Sequence, residues 1–330
     1  MSHLMNMKAT VNIGPSSSEV RILPVPQPKE NEVLIRVKAC GVCMSDLEPW
    51  LHPFAPSIPP NNEQYVRMGH EPAGIVEAVG KNVSKFKVGD RVASMVAPSY
   101  GQFVCAPENI TVLVPDEVPF EYAIAEPAAC LIAGLERIPL EMGETVALVG
   151  CGFMGLGVLQ LLRARGAGKI VAIDVNEEAL QNALRFGADE AYQPQDIPEP
   201  YLCLEWDQQW SHGFSKVFEV TGKQKGIDLA IQLCQAHAYL AAYGYHQDAP
   251  RTIDFQMLGW KAINLINTHE RRPEAMRHGM EAALEMIKRG QLKMSELITH
   301  QFKLNELDLA FQTMISKPKG YIKGVILPEK

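Results

Sequence analysis

The chain has 330 residues, which is enough for two domains with sizeable cores. Hydrophobic residues make up 47% and charged residues 21%, a balance that is ordinary for a globular enzyme. The net charge of −7 disfavours nucleic acid or an anionic membrane as a partner, and no apolar run approaches the roughly 20 residues that span a bilayer.

The cysteines bear on the cellular compartment. They number seven and are scattered along the chain, at positions 40, 43, 105, 130, 151, 203 and 234. An odd, scattered set does not resemble a disulfide framework, and the first residues show no secretory signal pattern. We therefore expect reduced thiols and a cytoplasmic protein.

The part of the chain from about residue 7 to residue 120 has the pattern of a β-rich domain. Residues 32–39 alternate apolar and polar side chains, which predicts a half-buried strand. Short apolar stretches punctuated by glycine and proline continue to residue 113 and indicate a small twisted barrel. Residues 49–64 are rich in proline and asparagine, which predicts a long irregular loop of the kind that borders sites.

From residue 121 helical patterns alternate with short apolar strands, which predicts a doubly wound parallel sheet. One helix opens near Glu126, with Pro127 suited to its first turn. The later elements predicted for this sheet are strands at 216–220, 238–243 and 262–266 and a helix at 227–236. The tail, 298–327, has the pattern strand, helix, strand, and we expect it to return to the first domain.

The stretch 145–174 has the pattern of a dinucleotide-binding unit. A buried strand at 145–149 leads into the turn Gly150-Cys151-Gly152-Phe153-Met154-Gly155, and a helix and a second strand, 169–173, follow. Gly150 permits the tight turn, Gly152 lets backbone N–H groups approach a pyrophosphate, and Gly155 lets the helix pack on the strand. The helix N-terminus adds partial positive charge where phosphates bind.

Asp174 ends the second strand of this unit, 19 positions after Gly155, where an acidic side chain can hold both ribose hydroxyls. The 2′-phosphate of NADP would add a second negative charge, and two unit charges about 4 Å apart repel by roughly 4 kcal/mol at an effective dielectric of about 20. Val175 and Asn176 follow, so no arginine directly after Asp174 offsets this repulsion. We therefore expect NAD, bound by the three glycines, Phe153, Met154 and Asp174.

The β-rich domain also carries side chains that could hold zinc. Cys43 offers a thiolate, His70 an imidazole and Glu71 a carboxylate, and Glu126 begins the helix that leads into the second domain. Three such protein ligands leave a coordination position open for water or substrate, as in catalytic zinc sites. Spacing alone leaves open whether ligands so far apart in sequence meet.

Five motifs occur in the order found in a known family: GVCMSD at 41–46, GHEPAG at 69–74, VGDRV at 88–92, EPA at 126–128 and VGCG at 149–152. Together they resemble the zinc-dependent medium-chain alcohol and polyol dehydrogenases over nearly the whole chain. This resemblance implies a GroES-like β-barrel catalytic domain, at 1–126 and 269–330, split by a Rossmann NAD-binding domain at 127–268.

The resemblance also implies roles for individual residues. Cys43 and His70 match direct zinc ligands, and Glu71 matches a neighbouring carboxylate that binds or approaches the metal. Glu126 falls at the third-ligand position, where glutamate resembles the sorbitol, glucose and threonine dehydrogenase branch. Ser45 matches the hydroxyl that passes the alcohol proton outward. The implied catalytic set is therefore Cys43, Ser45, His70 and Glu71, and Glu126 completes the metal ligands.

The sequence departs from the family pattern in two places. The cysteine-rich lobe that holds a structural zinc in many members is missing, because Cys105 is alone between residues 91 and 106. We therefore expect a single, catalytic zinc. Glu48 stands where many members have a histidine in the proton relay. His52 could substitute, although a histidine unrelated to the relay is the simpler interpretation.

The expected reaction is oxidation of a secondary alcohol, such as a polyol, cyclitol or sugar, to a ketone with NAD. Relatives commonly form dimers or tetramers, so a homodimer or homotetramer is expected, without nucleic acid or membrane partners. Two alternatives stay open at this point. One is a zinc-free quinone or enoyl reductase of the same fold, which Cys43, His70 and Glu126 argue against. The other is a non-catalytic dinucleotide-binding or sensor protein.

Overall fold

The structure is a computed structural model that describes residues 6–54, 65–246 and 248–330. Contacts between Cα atoms divide the chain into two compact units. The first unit comprises Met1–Ala129 and Arg272–Lys330, and the second comprises Cys130–Arg271. The domain boundaries expected from sequence, after residues 126 and 268, each precede these divisions by three residues.

The strands, in chain order, are β1 (Asn6–Gly14), β2 (Ser17–Pro24), β3 (Glu32–Gly41), β4 (Pro72–Val79), β5 (Arg91–Ser94), β6 (Phe103–Pro107), β7 (Thr111–Leu113), β8 (Thr145–Val149), β9 (Lys169–Ile173), β10 (Glu190–Tyr192), β11 (Phe214–Glu219), β12 (Cys234–Ala242), β13 (Asn264–Asn267), β14 (Ile298–Phe302) and β15 (Lys323–Ile326). The helices are α1 (Leu47–Leu51), α2 (Ala125–Leu135), α3 (Phe153–Ala164), α4 (Glu177–Arg185), α5 (Gln224–Leu233), α6 (Phe255–Trp260), α7 (Pro273–Lys288), α8 (Met294–Leu297) and α9 (Leu307–Ser316).

The described part of the second unit holds a parallel sheet in the order β10-β9-β8-β11-β12-β13. The apolar strands β8 and β9 are buried, as expected for parallel strands covered on both faces. Counting within this unit, the strand order is 3-2-1-4-5-6, and it reverses between β8 and β11. Ligands of such sheets bind beyond the carboxyl ends of the strands at that reversal.

The main sheet of the first unit has the order β14-β15-β3-β4-β5-β7, and β6 pairs with β3 outside this path. The long strand β3 is antiparallel to β4, β6 and β15 and brings distant segments together. The tail supplies β14, α9 and β15, so it returns to this unit as the sequence pattern predicts. A separate hairpin joins β1 and β2.

A cluster of rings fills part of the first unit's core, and we call Trp50, Tyr100 and Phe311 the ring cluster. The Trp50 and Phe311 rings stack with centroids 5.1 Å apart, and Tyr100 meets Phe311 edge-on at 6.3 Å. Such aromatic pairs contribute about 0.5–1.5 kcal/mol beyond the area they bury. The ring cluster therefore holds α1 and α9 against the stretch that contains Tyr100.

Some elements differ from the sequence-based expectations. The helix predicted at 227–236 ends at Leu233, because Cys234 already pairs with Phe214 as the first residue of β12. Residues 192–213, for which no element was predicted, include short 3-10 turns. The irregular loop predicted at 49–64 begins within α1, and its residues 55–64 lie outside the described residues.

No helix in the described part of the chain is both long and apolar enough to cross a membrane.

Candidate active site

The pairing of β3 with β4 explains how distant candidate ligands approach one another. Cys40, near the end of β3, is the partner of Pro72, the first residue of β4. The Gly41 N–H donates to the Glu71 carbonyl at 3.2 Å, just before that pair. Cys43 follows the end of β3, while His70 and Glu71 precede the start of β4. The antiparallel register therefore brings the GVCMSD and GHEPAG motifs side by side.

Cys43, His70 and Glu71 form a group that fits a zinc ion. One ligand atom from each of the three lies within 4.8 Å of the others. Sulfur, imidazole nitrogen and carboxylate oxygen are the donors that zinc prefers. Cys43 and His70 are partly exposed and Glu71 is completely buried. We call these three residues the metal-ligand group.

Asp46 orients the imidazole of His70. Its Oδ1 lies 3.3 Å from His70 Nδ1 and accepts a hydrogen bond from the Gly69 N–H at 3.3 Å. Burial lowers the pKa of His70, but hydrogen bonds with Asp46 and Cys43 and their negative charges outweigh this and raise it to about 12. With Nδ1 held by Asp46, Nε2 is the nitrogen that remains for a metal. The motif GVCMSD includes Asp46, but its role was not predicted.

Lys323, the first residue of β15, compensates the buried charge of Glu71. Its Nζ donates to Glu71 Oε1 at 2.9 Å and lies 2.8 Å from Oε2. Oε2 is nonetheless left without a hydrogen bond of acceptable geometry, so this buried oxygen can serve as a metal ligand. Burial lowers the pKa of Lys323, but the charges of Glu71 and Cys43 hold it above its ordinary range. A lysine in the otherwise apolar tail strand was the signal that sequence analysis missed.

Ser45 lies beside two members of the metal-ligand group. Its Oγ donates to Cys43 Sγ at 3.2 Å and lies 3.3 Å from His70 Nε2. A hydroxyl in this position can exchange a proton with an alcohol held at the same place. Glu48 and His52, weighed above as the next relay members, are both exposed at α1.

Glu126 is the second residue of α2 and is partly exposed. It does not belong to the metal-ligand group that the described residues form. Its assignment as a zinc ligand therefore stays a prediction.

The glycine-rich turn joins β8 to α3 in the second unit. Gly150 has φ +100°, a conformation that favours glycine, and Gly152 caps the N-terminus of α3. A Cβ on Gly155 would lie 1.9 Å from the Gly150 carbonyl oxygen, so only glycine fits this helix–strand contact. Around Gly152 a Cβ would meet nothing within 4 Å, so the turn leaves space for a pyrophosphate. Phe153 and Met154 are the first two residues of α3.

Asp174 directly follows β9 and holds the glycine-rich turn by hydrogen bonds. Its Oδ2 accepts from the Cys151 N–H at 2.7 Å, and its Oδ1 accepts from the Asn176 N–H at 2.9 Å. A carboxylate has about four lone-pair sites, so two backbone bonds leave capacity for ribose hydroxyls. The structure thus places Asp174 beside the glycine-rich turn, and its role in holding the ribose stays a prediction.

A buried carboxylate that the sequence analysis missed supports the same edge of the sheet. Glu219 ends β11 and is completely buried, and it accepts from the backbone N–H groups of Thr221 and Gly222 at 2.7 and 3.0 Å. His246 Nε2 lies 3.0 Å from Glu219, while Arg251 Nε donates to His246 Nδ1 at 3.0 Å. Because Nδ1 accepts a hydrogen bond, Nε2 carries the imidazole proton and donates a hydrogen bond to Glu219 Oε2. This network fixes the loops after β11 and β12.

Comparison with known families adds independent findings. Residues 29–116 match the alcohol dehydrogenase GroES-like domain, and residues 154–289 match the zinc-binding dehydrogenase family. Sorbitol dehydrogenase of Bacillus subtilis is 26% identical, and the alignment covers 100% of each chain. (R,R)-Butanediol dehydrogenase of Bacillus subtilis is 31% identical over 66% of this chain and 72% of its own.

A further relative and a solved structure each cover 98% of this chain. An uncharacterized zinc-type alcohol dehydrogenase-like protein of Escherichia coli, YdjJ, is 29% identical, with 98% of this chain and 99% of that protein aligned. The crystal structure of 2R,3R-butanediol dehydrogenase from Bacillus subtilis superposes with a TM-score of 0.80 at 25% identity. That superposition covers 98% of this chain and 99% of the other. The similarity therefore includes both units.

Proposed function

The chain belongs to the zinc-type alcohol and polyol dehydrogenases of the medium-chain family, and we propose that it oxidises a polyol with NAD at one catalytic zinc ion. The family assignment confirms the predicted fold, a GroES-like domain with a Rossmann sheet. It also confirms the predicted reaction class, oxidation of an alcohol by a dehydrogenase. The metal, the choice of NAD and the polyol are the finer proposals.

The observation that carries the zinc proposal is the convergence of Cys43, His70 and Glu71 within 4.8 Å. We propose that Cys43 Sγ, His70 Nε2 and Glu71 Oε2 hold the ion, and that Glu126 adds a further oxygen ligand. When bound, zinc supplies a Lewis acid that favours ionisation of an alcohol. Asp46 keeps His70 oriented, and Lys323 compensates the charge of Glu71.

We propose that Ser45 moves the alcohol proton. Its Oγ lies within 3.3 Å of both Cys43 Sγ and His70 Nε2, so an alcohol held there would reach it. Ser45 is itself partly exposed, so the proton can pass from it towards solvent, and Glu48, which stands in place of the usual histidine, is exposed at α1.

We propose NAD rather than NADP as the hydride acceptor. The negative charge of Asp174 would repel a 2′-phosphate, and its hydrogen bonds to Cys151 and Asn176 hold it at the glycine-rich turn. Neither of the two residues that follow, Val175 and Asn176, is basic. Asp174→Asn should therefore lower the ratio of kcat/KM for NAD to that for NADP.

The relatives support a polyhydroxylated substrate, because their names include sorbitol and butanediol. Initial rates with a panel of polyols, cyclitols and sugars, against ethanol and benzyl alcohol, test this proposal. We expect a polyol to have the highest kcat/KM and NAD to be preferred over NADP. Faster oxidation of ethanol or benzyl alcohol than of every polyol would refute the substrate class, and equal use of NADP would refute the cofactor assignment.

We further propose a single zinc ion per chain. None of the seven cysteines, all of which lie among the described residues, forms a disulfide, and Cys105 is alone in the stretch where a cysteine-rich lobe would lie. A homodimer or homotetramer in the cytoplasm remains our proposal for assembly and location. The scattered cysteines, which form no disulfide in the described part of the chain, support the location, and light scattering of the purified protein tests the assembly.

A further inference from the structure

Tyr100 lies in the stretch 91–106, which lacks the cysteine-rich lobe, and contacts the segments that carry Cys43 and His70. Its side chain is 1% exposed, and its hydroxyl contacts Asp46 Oδ2 at 2.9 Å and the Gly41 carbonyl at 3.2 Å. Buried hydroxyls are normally hydrogen-bonded, and the acceptor of this one is the carboxylate that orients the metal ligand His70. We infer that Tyr100 is a positioning residue that fixes the catalytic metal site through Asp46 and His70.

The first step is the hydrogen-bond chain. The Tyr100 hydroxyl donates to Asp46 Oδ2, while the other carboxylate oxygen, Oδ1, faces His70 Nδ1 at 3.3 Å. Asp46 is itself buried, so rotation of its carboxylate away from the imidazole costs a buried hydrogen bond. Tyr100 therefore restricts Asp46 to the rotamer that serves His70.

The second step is contact with the backbone before His70. The Tyr100 ring lies so close to Gly69 that a Cβ there would be 2.7 Å from Cδ1 of the ring. The Tyr100 N–H donates to the Met68 carbonyl at 3.0 Å, which ties the same two segments together. The ring thus holds the backbone from which His70 projects, while the hydroxyl holds the partner of its imidazole.

The third step is the rigidity of Tyr100 itself. Phe311 of α9 packs edge-on against its ring, and Trp50 stacks on Phe311 from α1. The indole N–H of Trp50 donates to Asp308 Oδ1 at 2.7 Å, which anchors the ring cluster to α9. Because packing fixes the rotamer of Tyr100, its contacts can hold a metal ligand in one position.

This inference rests on the proposed zinc site, and its test measures metal binding rather than activity. Zinc affinity is measured by competition with a chelator, and the ligand field by the visible absorption of the cobalt-substituted protein. Tyr100→Phe should weaken zinc binding by about tenfold or more and alter the cobalt spectrum, as loss of outer-shell partners commonly does. Tyr243→Phe is the matched control, since it removes a buried hydroxyl that donates to the Leu131 carbonyl in the second unit. We expect that variant to bind zinc within twofold of the wild type.

A second variant, Asp46→Asn, leaves the Tyr100 ring in its core position. It tests whether Tyr100 acts on His70 through Asp46, even where Tyr100→Phe folds poorly. It should weaken zinc binding at least as much as Tyr100→Phe, and the double variant should be no weaker than Asp46→Asn alone. Additive losses, or unchanged zinc binding in either single variant, would overturn the inference. A wild-type chain that binds no zinc overturns the proposed function as well, whereas a zinc-binding wild type matched by Tyr100→Phe overturns this inference alone.

Discussion

Lys323 compensates a buried carboxylate beside the metal ligands, and its removal gives a prediction at the scale of one residue. Lys323→Met leaves Glu71 charged and unpaired in the core, which should cost about 3–5 kcal/mol in the free energy of unfolding. Lys38→Met is the control, because its pair with Glu329 is partly exposed and should cost about 1 kcal/mol or less. Urea unfolding of the metal-free proteins measures both, and equal losses would contradict the role of Lys323.

His70 gives a second prediction at this scale. Its raised pKa of about 12 lies above the unfolded value of roughly 6.5, so its stabilising contribution is present below that unfolded value and is lost as pH rises through about 12. The metal-free histidine is therefore protonated at neutral pH, and zinc must displace that proton. Zinc affinity should rise with pH by about tenfold per unit for each displaced proton.

Calorimetry in buffers of different ionisation enthalpies counts the protons released when zinc binds. We expect at least one per ion between pH 7 and pH 8. If binding releases none, His70 does not carry the proton that its contacts with Asp46 and Cys43 imply.

At the scale of elements, the contact between α3 and β8 depends on Gly155. Gly155→Ala places a Cβ 1.9 Å from the Gly150 carbonyl oxygen and must shift α3, at whose N-terminus we propose that the phosphates of the cofactor bind. NADH affinity should fall by roughly tenfold or more, the equivalent of about 1.4 kcal/mol. Gly259→Ala in α6 is the control, because its Cβ would meet nothing within 4 Å. Fluorescence titration with NADH decides, and equal affinities would contradict this packing account.

The same elements show what sequence could predict. Strands 145–149 and 169–173 agree with β8 and β9 at both ends, because apolar runs bounded by glycine and aspartate leave little choice of limits. The predicted boundary between α5 and β12 was wrong. Leu233, Cys234 and Ala236 continue an apolar pattern that suits either a helix or a strand. Length and periodicity cannot place a junction that has no loop.

For the candidate site, motifs predicted the residue types but not their partners. Cys43, His70 and Glu71 were found because they lie within short recognisable motifs. Lys323 and Tyr100 were missed, because their contacts with Glu71 and Asp46 join residues 252 and 54 positions apart. The contact of Lys323 with Glu71 is set by the register of β15 and β4 around β3, and Tyr100 lies between β5 and β6, so local pattern encodes neither contact.

At the scale of the whole molecule, the residues proposed to bind zinc and those proposed to bind NAD belong to different units. The metal-ligand group belongs to the first unit, and the glycine-rich turn with Asp174 belongs to the second. Each unit has its own sheet and its own buried core. Loss of the metal should therefore leave NADH binding and the Rossmann sheet intact.

The most direct test of the zinc mechanism is the zinc content and NADH formation of Cys43→Ala beside the wild type. We predict one zinc ion per wild-type chain, and in the variant loss of zinc with retained NADH binding. Polyol oxidation should fall by roughly a thousandfold, the equivalent of about 4 kcal/mol, because Lewis-acid assistance is lost. Undiminished oxidation by the zinc-free variant would contradict the mechanism.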